Sequence, residues 1–320
     1  MSPVNESPVL PTDSDFSWRS LQAADVGAVR ELAASCLDAD GGLALGAEET
    51  FITKYYFPAA PGASIGAFEQ GGQLVACAAV HPDHSAEAYF AMIVGQVHPS
   101  LRHRGLGRNL LSWSIDQAGG LLAASPPDRA HILQIRTESL TVEAASLFER
   151  YGFVQQFAED VMCRELSDSD TDILLPVDIQ FATWESALVD QFFIAYQESF
   201  RDRHRPGFPS WSQEEWVAWV EPEDEEFHPE LSLLVFQEDL PIGFIVCAEN
   251  WIVQMGVVPE WRGRGIGSAM LMEVMASYRE MGVDRVLLDV NVNNARAARV
   301  YAKLGFKVSG RRARYEKVLS

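Results

Sequence analysis

Arg262, Gly263, Arg264, Gly265 and Gly267 stand within six consecutive positions of the stretch VVPEWRGRGIGSAML, Val257 to Leu271. The stretch opens with β-branched residues suited to a strand and closes with a helix-forming run. Glycine lets a backbone approach a ligand with no side chain between them. The first turn of a helix presents unsatisfied N–H groups and about half a positive charge. Strand, glycine loop and helix start, in that order, make a cradle for a phosphate or pyrophosphate. The two arginines add local positive charge to a chain whose net charge is −20. There is no GxxxxGK[ST] string, and the third glycine of a GxGxxG fingerprint is replaced by Met270. Neither a nucleoside-triphosphate loop nor a dinucleotide fingerprint is therefore indicated.

The pattern recurs. VGQVHPSLRHRGLGRNLL, Val94 to Leu111, carries Arg102, Arg104, Gly105 and Gly107, with Arg102 and Arg262 lying 160 residues apart. A second pair agrees: LFERYGF (Leu147 to Phe153) and VYAKLGF (Val300 to Phe306), with Gly152 and Gly305 lying 153 apart. The seven-residue difference predicts an insertion in the first copy, best placed in LLAASPPDRAH, Leu121 to His131. Self-similarity on this scale means two related domains in tandem. The acidic, proline-ended stretch ELSDSDTDILLP, Glu165 to Pro176, is the expected joint, giving halves 14–166 and 174–320.

Each half starts with a short strand and an amphipathic helix. Val26, Val29, Leu32 and Ala33 share one helix face in the first, and Leu188, Phe192 and Ala195 in the second. Ser212 and Glu215 form a capping-box pattern. Hairpins are expected at Gly71-Gly72 and near Asp239–Pro241. Strand, glycine loop, helix, strand and helix follow, then closing strands. The order predicts an α/β fold with a mixed sheet and helices on both faces.

An apolar fraction of 48% over 320 residues is enough for two packed cores. The net charge of −20 argues against nucleic acid and against anionic membranes as partners. Cys36, Cys77, Cys163 and Cys247 form no CxxC pair, so the cysteines predict buried fillers in a reducing compartment, with no metal site. The N-terminal stretch Met1 to Phe16 lacks the basic and apolar segments of a secretory leader and is expected to be a disordered lead-in. No apolar run reaches the roughly 20 residues that span a bilayer. A cytoplasmic protein, monomeric or homodimeric, is expected.

These stretches resemble the signatures of the GNAT superfamily of acyl-CoA-dependent N-acyltransferases. VVPEWRGRGIGSAML is similar to its Q/R-x-x-G-x-G/A loop. NNARAARVYAKLGF is similar to its N-x-x-A-x-x-x-Y-x-x-x-G-F signature at Asn294, Ala297, Tyr301, Gly305 and Phe306. The resemblance covers nearly the whole chain, twice. It implies acetyl-CoA as co-substrate, no metal, and two parallel strands, Trp251–Val258 and Val286–Val290, that splay around the pantetheine arm. It further implies that N–H groups of Gly263, Arg264, Gly265, Ile266, Gly267 and Ser268 hold the pyrophosphate beside Arg262. Val257 would pair with pantetheine, Asn294 would hydrogen-bond it, and Tyr301 would face the sulfur.

In such a site an amine attacks the thioester carbonyl and a thiolate leaves. Proton transfer from a tyrosine of pKa ~10 to a thiolate of pKa ~8.5 is uphill by about 2 kcal/mol. Tyr301 is thus expected to act through a hydrogen bond that strengthens as charge develops. A lysine-like amine costs about 4–5 kcal/mol to deprotonate at pH 7. The strand position where many relatives carry glutamate reads Trp251. Glu249, two residues earlier, is the expected base, with Asp289 as the fallback and no base as the third option. The first half has Phe148 where the second has Tyr301, and Thr141 where it has Asn294. It is expected to be non-catalytic, with Arg102, Arg104, Gly105 and Gly107 either still binding CoA or serving the fold. Tyr151 is close in sequence but is expected to point elsewhere.

The resemblance implies an acceptor pocket built from Arg201 to Glu230, which holds Trp211, Trp216, Trp219, a basic run (Arg201–Arg205) and an acidic run (Glu221–Glu226). The expected activity is acetyl transfer to a primary amine of a small molecule by the second half. The alternative is a non-catalytic acyl-CoA-binding or sensor protein.

Overall fold

A computed structural model of the chain describes residues 15–58, 63–85, 88–167, 179–202, 211–221 and 227–319. Most of the stretch expected to join the halves, and most of the N-terminal lead-in, lie outside these residues. So do Arg203 to Arg205 of the basic run and 222–226 of the acidic run.

The chain forms two compact units: Met1–Val161 with Ser309–Ser320, and Met162–Val308. The first half supplies β1 (Ser17–Arg19), α1 (Val26–Asp40), α2 (Glu49–Tyr56), β2 (Ser64–Phe68), β3 (Leu74–His84), β4 (Ala88–Val97), α3 (Leu106–Ala123), β5 (Ala130–Thr137), α4 (Val142–Arg150) and β6 (Val154–Glu165). The second repeats the order with β7 (Gln180–Thr183), α5 (Val189–Phe200), α6 (Gln213–Val220), β8 (Leu233–Gln237), β9 (Leu240–Ala248), β10 (Trp251–Val257), α7 (Ile266–Glu280), β11 (Arg285–Asn291), α8 (Ala295–Lys303) and β12 (Lys307–Leu319). In the first unit the strands run β1-β2-β3-β4-β5-β12, and in the second β6-β11-β10-β9-β8-β7. β4 pairs parallel with β5, and β10 with β11. The expected mixed α/β sheet is found.

The last strand of each half contributes to the other unit. β12 pairs antiparallel with β5 from Ala313↔Thr137 to Leu319↔His131. Just past β6, the Leu166 N–H donates to the Asp284 carbonyl at 2.8 Å in the second unit. Lys317 Nζ donates to the Tyr151 carbonyl at 2.9 Å, and the Arg164 guanidinium donates to the Leu304 carbonyl. Those two carbonyls each precede the glycine that ends α4 or α8. The expected boundaries 14–166 and 174–320 shift accordingly. A strand reads the same in sequence whichever sheet it joins, so periodicity carries no sign of the exchange.

The helices bury the faces their spacing marks. Val29, Leu32, Ala33 and Cys36 of α1 pack with Phe51, Ile52, Tyr55 and Tyr56 of α2 in the first core. Ile266, Met270, Leu271, Val274 and Tyr278 of α7 pack on β9, β10 and β11 in the second. The Ser212–Glu215 capping box forms in both directions at the start of α6. α3 has 18 residues against 15 in α7, so part of the insertion lengthens the helix rather than the Pro126-Pro127 loop. Among the described residues, no helix is long and apolar enough to cross a membrane, and no cluster of three His, Cys, Asp or Glu residues could hold a metal.

Candidate functional site

The two glycine corners are built alike. Pro259 opens a single 3-10 turn after β10, and Pro99 opens one after β4. The Val258 N–H donates to the Ile242 carbonyl at 2.9 Å and the His98 N–H to the Val75 carbonyl at 2.8 Å, which fixes where each chain leaves its strand. Gly265 (φ +86°) caps α7 and Gly105 (φ +91°) caps α3. Both lie in the left-handed region, which costs an L-residue about 1–2 kcal/mol. A Cβ built on Gly105 meets nothing within 4 Å, so the space before α3 is open, and one built on Gly263 would lie 3.5 Å from the Arg296 guanidinium. The first-turn N–H groups of Ile266, Gly267 and Ser268 have no partner within the helix. Gly263 is also left-handed (φ +81°), and its counterpart is His103 at φ +64°. The second corner is thus the less strained of the two.

Arg262 is bonded within the fold. Its Nε donates to the Val257 carbonyl at 2.9 Å, and its terminal nitrogens reach the Ser199 carbonyl at 2.7 Å and the Asp202 carboxylate at 2.5 and 3.1 Å. Arg102 repeats this: Nε to the Val97 carbonyl at 3.3 Å, with a fork onto Asp40 at 2.6 and 2.5 Å. Each arginine ties the end of a strand to the end of the first helix of its half. The expectation that Arg262 adds free positive charge for an anion is corrected to that of a brace. Arg264 and Arg104 are exposed. Arg264 lies over the Trp261 ring at 4.4 Å, and Arg104 lies 3.4 Å from Asp15.

Behind each corner a parallel pair parts. The β10–β11 register stops at Ile252↔Leu288, although β10 runs on to Val257 and β11 to Asn291. β4 and β5 part after Ile93↔Ile135. β10 also carries a bulge between Ile252 and Gln254. The registered pairing of the expected strands Trp251–Val258 and Val286–Val290 thus ends on the side nearer the glycine corner. An extended ligand there finds the β10 backbone from Val253 to Val257 without a partner on β11 in the register.

The second signature forms α8, which follows β11. Asn294 caps α8, its Oδ1 accepting from the Ala297 N–H at 3.2 Å, which leaves its amide N–H groups to donate. Tyr301 is 9% exposed, lies 6.1 Å from the Phe306 ring, and belongs to the buried cluster of Ile266, Leu288 and Val290, with Met255 and Val257 against it. The first unit reproduces the frame with other chemistry. Thr141 caps α4 through the Ala144 N–H at 3.1 Å. The Phe153 N–H bonds the Phe148 carbonyl at 3.1 Å, as the Phe306 N–H bonds that of Tyr301 at 3.1 Å. Phe148 therefore occupies the Tyr301 position. The Tyr151 hydroxyl is held by Ser112 Oγ at 3.0 Å.

Glu249 is not on β10. It lies exposed in the tight turn between β9 and β10 with φ +48°, at the end of the strand away from the glycine corner. The strand alternation that put it beside Trp251 does not extend through a hairpin turn. Asp289 sits on β11 one residue past the last registered pair.

Over the other face of β10, Trp216 is fully buried and donates its indole N–H to Gln254 Oε1 at 2.8 Å. Tyr196 stacks on it at 5.2 Å, and Trp211 and Trp219 lie 5.0 Å apart beyond. Trp216 is core, as its helical spacing suggests, whereas Trp219 is 41% exposed.

Two features escaped the sequence reading. One is the pair of carboxylates, Asp40 and Asp202, that anchor the arginines; an acid closing the first helix of each half was the available sign. The other is Arg136, a charge near the end of the apolar strand HILQIRT, and Glu138, just past that strand. Arg136 Nε donates to Glu138 Oε1 at 2.6 Å and its NH1 to the Tyr55 hydroxyl at 2.9 Å, at the wall of a cavity inside the first unit.

Comparison with known proteins agrees with this geometry. The acetyltransferase (GNAT) family profile matches residues 189–306, and a second GNAT domain profile matches residues 61–155. The chain is similar to mycothiol acetyltransferase of Stackebrandtia nassauensis, 28% identical with 90% of this chain and 94% of the relative covered. It is also similar to that of Thermobispora bispora, 27% identical with 88% and 92% covered. Among solved structures, a GCN5-related N-acetyltransferase from Sphaerobacter thermophilus superposes with a TM-score of 0.72 at 27% identity, covering 97% of both chains. A tandem GNAT protein from the clavulanic acid biosynthesis pathway shares the fold at a TM-score of 0.60 and 17% identity, covering 95% of this chain and 98% of that one.

Proposed function

The chain belongs to the GNAT family of acetyl-CoA-dependent acetyltransferases and carries two such domains in tandem; from that premise we propose that its second unit acetylates the primary amine of a small molecule and that its first unit does not turn over. The observation that carries this reading is the asymmetry at one position. Tyr301 packs in one cluster with Leu288 and Val290 of β11 and Met255 and Val257 of β10 and carries a hydroxyl, and Phe148 has none.

Acetyl-CoA supplies a thioester whose carbonyl carbon an amine can attack. The residues of the second unit divide the remaining work. The N–H groups from Gly263 to Ser268 hold the pyrophosphate at the start of α7. The Val257 backbone and the Asn294 amide bind the pantetheine arm. Tyr301 donates a hydrogen bond to the sulfur, and that bond strengthens as negative charge collects there. Asp289 replaces Glu249 as the acid placed to take the amine proton directly or through water. In the first unit Arg104, Gly105 and Gly107 retain the corner, which supports CoA binding without chemistry.

A mycothiol-type acceptor is the second reading, supported by the end-to-end likeness to two mycothiol acetyltransferases. A panel of primary amines including that acceptor, read out by release of free thiol, tests both. Tyr301→Phe should lower turnover by roughly 10²–10⁴, while Phe148→Leu and Gly105→Ala leave it within a few-fold. Full activity of Tyr301→Phe together with loss in Gly105→Ala would assign the chemistry to the first unit. Tight binding with no turnover on any amine would favour a sensor.

A further inference from the structure

A cavity of about 450 Å³ lies wholly inside the first unit. That is within the range of sites that hold small molecules, about 300–1,000 Å³. It begins at the corner, at Gly105, Gly107 and Thr141, and passes between β4 and β5 where their register ends. It widens under α1 and α2 into a chamber walled by Ala33, Leu37, Leu43, Ala47 and Phe51. In the second unit the matching positions carry larger side chains. Val29 and Cys36 of α1 match Phe192 and Ser199 of α5 in spacing and burial, which sets Ala33 against Tyr196 and Leu37 against Phe200. Tyr196 stacks on Trp216 at 5.2 Å, and Phe200 meets Phe244 at 6.1 Å. Where the second half has interlocked aromatic rings, the first has small aliphatic side chains and room.

The walls also carry two buried polar atoms with no hydrogen-bond partner, Ser114 Oγ and Glu138 Oε2. A buried polar atom without a partner costs about 1–3 kcal/mol, so a ligand that satisfies it is favoured. Arg136 already neutralises Glu138 through its other oxygen at 2.6 Å. Beyond them the chamber suits an aliphatic chain.

We propose that the first unit is a binding site for CoA thioesters whose acyl chain is longer than acetyl, with the chain lodged in the chamber under α1 and α2. The proposal rests on the reading of the glycine corner as a CoA site. Phe148 in place of a tyrosine fits a thioester that is held and not consumed. Each methylene moved from water into such a chamber strengthens binding roughly fourfold.

Calorimetric titration of the full chain with CoA, acetyl-CoA, butyryl-CoA and hexanoyl-CoA tests it. One binding event should tighten along the thioester series, hexanoyl-CoA exceeding acetyl-CoA at least tenfold. Ala47→Phe, which fills the chamber, should abolish that gain and leave the affinity for CoA itself within about threefold. Ala33→Leu is the second filling variant should the first not fold. Equal affinity for acetyl-CoA and hexanoyl-CoA, or a gain that survives both variants, would overturn the chamber as the acyl site and leave the corner standing. A single binding event that Gly265→Val abolishes would overturn the reading of the first corner itself.

Discussion

Arg262 forks onto Asp202, one guanidinium nitrogen 2.5 Å from Oδ2 and the other 3.1 Å from Oδ1, while its Nε holds the carbonyl of Val257 at 2.9 Å. With the Ser199 carbonyl at 2.7 Å, three groups around the glycine corner are fixed by one side chain, and in the first unit Arg102 fixes two, the Val97 carbonyl and Asp40. The arginine of the loop motif acts through shape and not through free charge. Lysine keeps the charge but cannot fork. Arg262→Lys should therefore lose about 1–2 kcal/mol, discounted for the half-exposed Asp202. At 2–4 °C per kcal/mol for a unit of this size, thermal denaturation should show a drop of a few degrees, with acetyl-CoA binding weakened several-fold. Undiminished affinity in Arg262→Lys would mean that charge is what the ligand reads.

The two glycines that follow are not equivalent. Gly265 stands at φ +86° at the start of α7, so its need is conformational. Gly267 has ordinary helical backbone, and a Cβ there would sit 3.6 Å from Met255 and 3.8 Å from Val257, normal packing distances. Gly267→Ala should keep acetyl-CoA affinity within a few-fold and raise stability by about 0.5–1 kcal/mol. Gly265→Val should lose about 1–2 kcal/mol to left-handed strain and weaken binding tenfold or more. Calorimetry and thermal denaturation on both variants check the contrast, and equal behaviour would mean the start of α7 is not where the ligand sits.

Much of this was legible in the chain. The repeat, the strand-to-helix corners, the Ser212 cap and the Tyr301–Phe148 difference are local patterns, and local patterns survive folding. Glu249 was misplaced because the β9–β10 hairpin turns sooner than the alternation suggests. The arginine partners Asp40 and Asp202 lie about 60 residues from their arginines, a distance that periodicity does not bridge. The cavity of the first unit depends on side-chain volume summed over several elements, and no single motif records it.

Asp25 offers a test by pH. Arg19 forks onto it at 2.7 and 2.8 Å, and the Gln22 N–H donates to it at 2.7 Å, at the entry to α1. The Arg19 hydrogen bonds hold its carboxyl below the ordinary aspartate value of 3.8, against a smaller opposing effect of burial. A depressed carboxylate stabilises the fold above its unfolded pKa and loses that contribution as pH falls below about 4 toward the folded value. Asp25→Asn should cost about 1 kcal/mol at neutral pH, a modest figure because Arg19 is 41% exposed. The gap between the two proteins should close on acidification. A gap that is constant from neutral pH down to strongly acidic solution would show that the cost is steric.

The exchange of last strands makes the first unit dependent on the chain's far end. Ala313 and Tyr315 of β12 are 3% and 1% exposed in the first core, Tyr315 meets Phe148 ring to edge at 5.3 Å, and Glu316 accepts from Gln134 at 2.9 Å. Ser309 and Gly310 press against the Gly41-Gly42 turn so closely that a Cβ on Gly41 would fall 1.4 Å from the Ser309 carbonyl oxygen. Removing the chain after Val308 should therefore expose β5 and the turn that follows α1, while the β10–β11 pair keeps its own core. Hydrogen exchange should show amides of Ala130–Thr137 losing protection and those of Trp251–Val257 retaining it. The milder Tyr315→Ala should cost about 3–5 kcal/mol, by analogy with other large aromatic deletions from cores, and Lys317→Ala no more than about 1 kcal/mol. Protection of β5 unchanged by the truncation would mean that β12 is an ornament on the first unit, and the graded losses in the two point variants should then vanish as well.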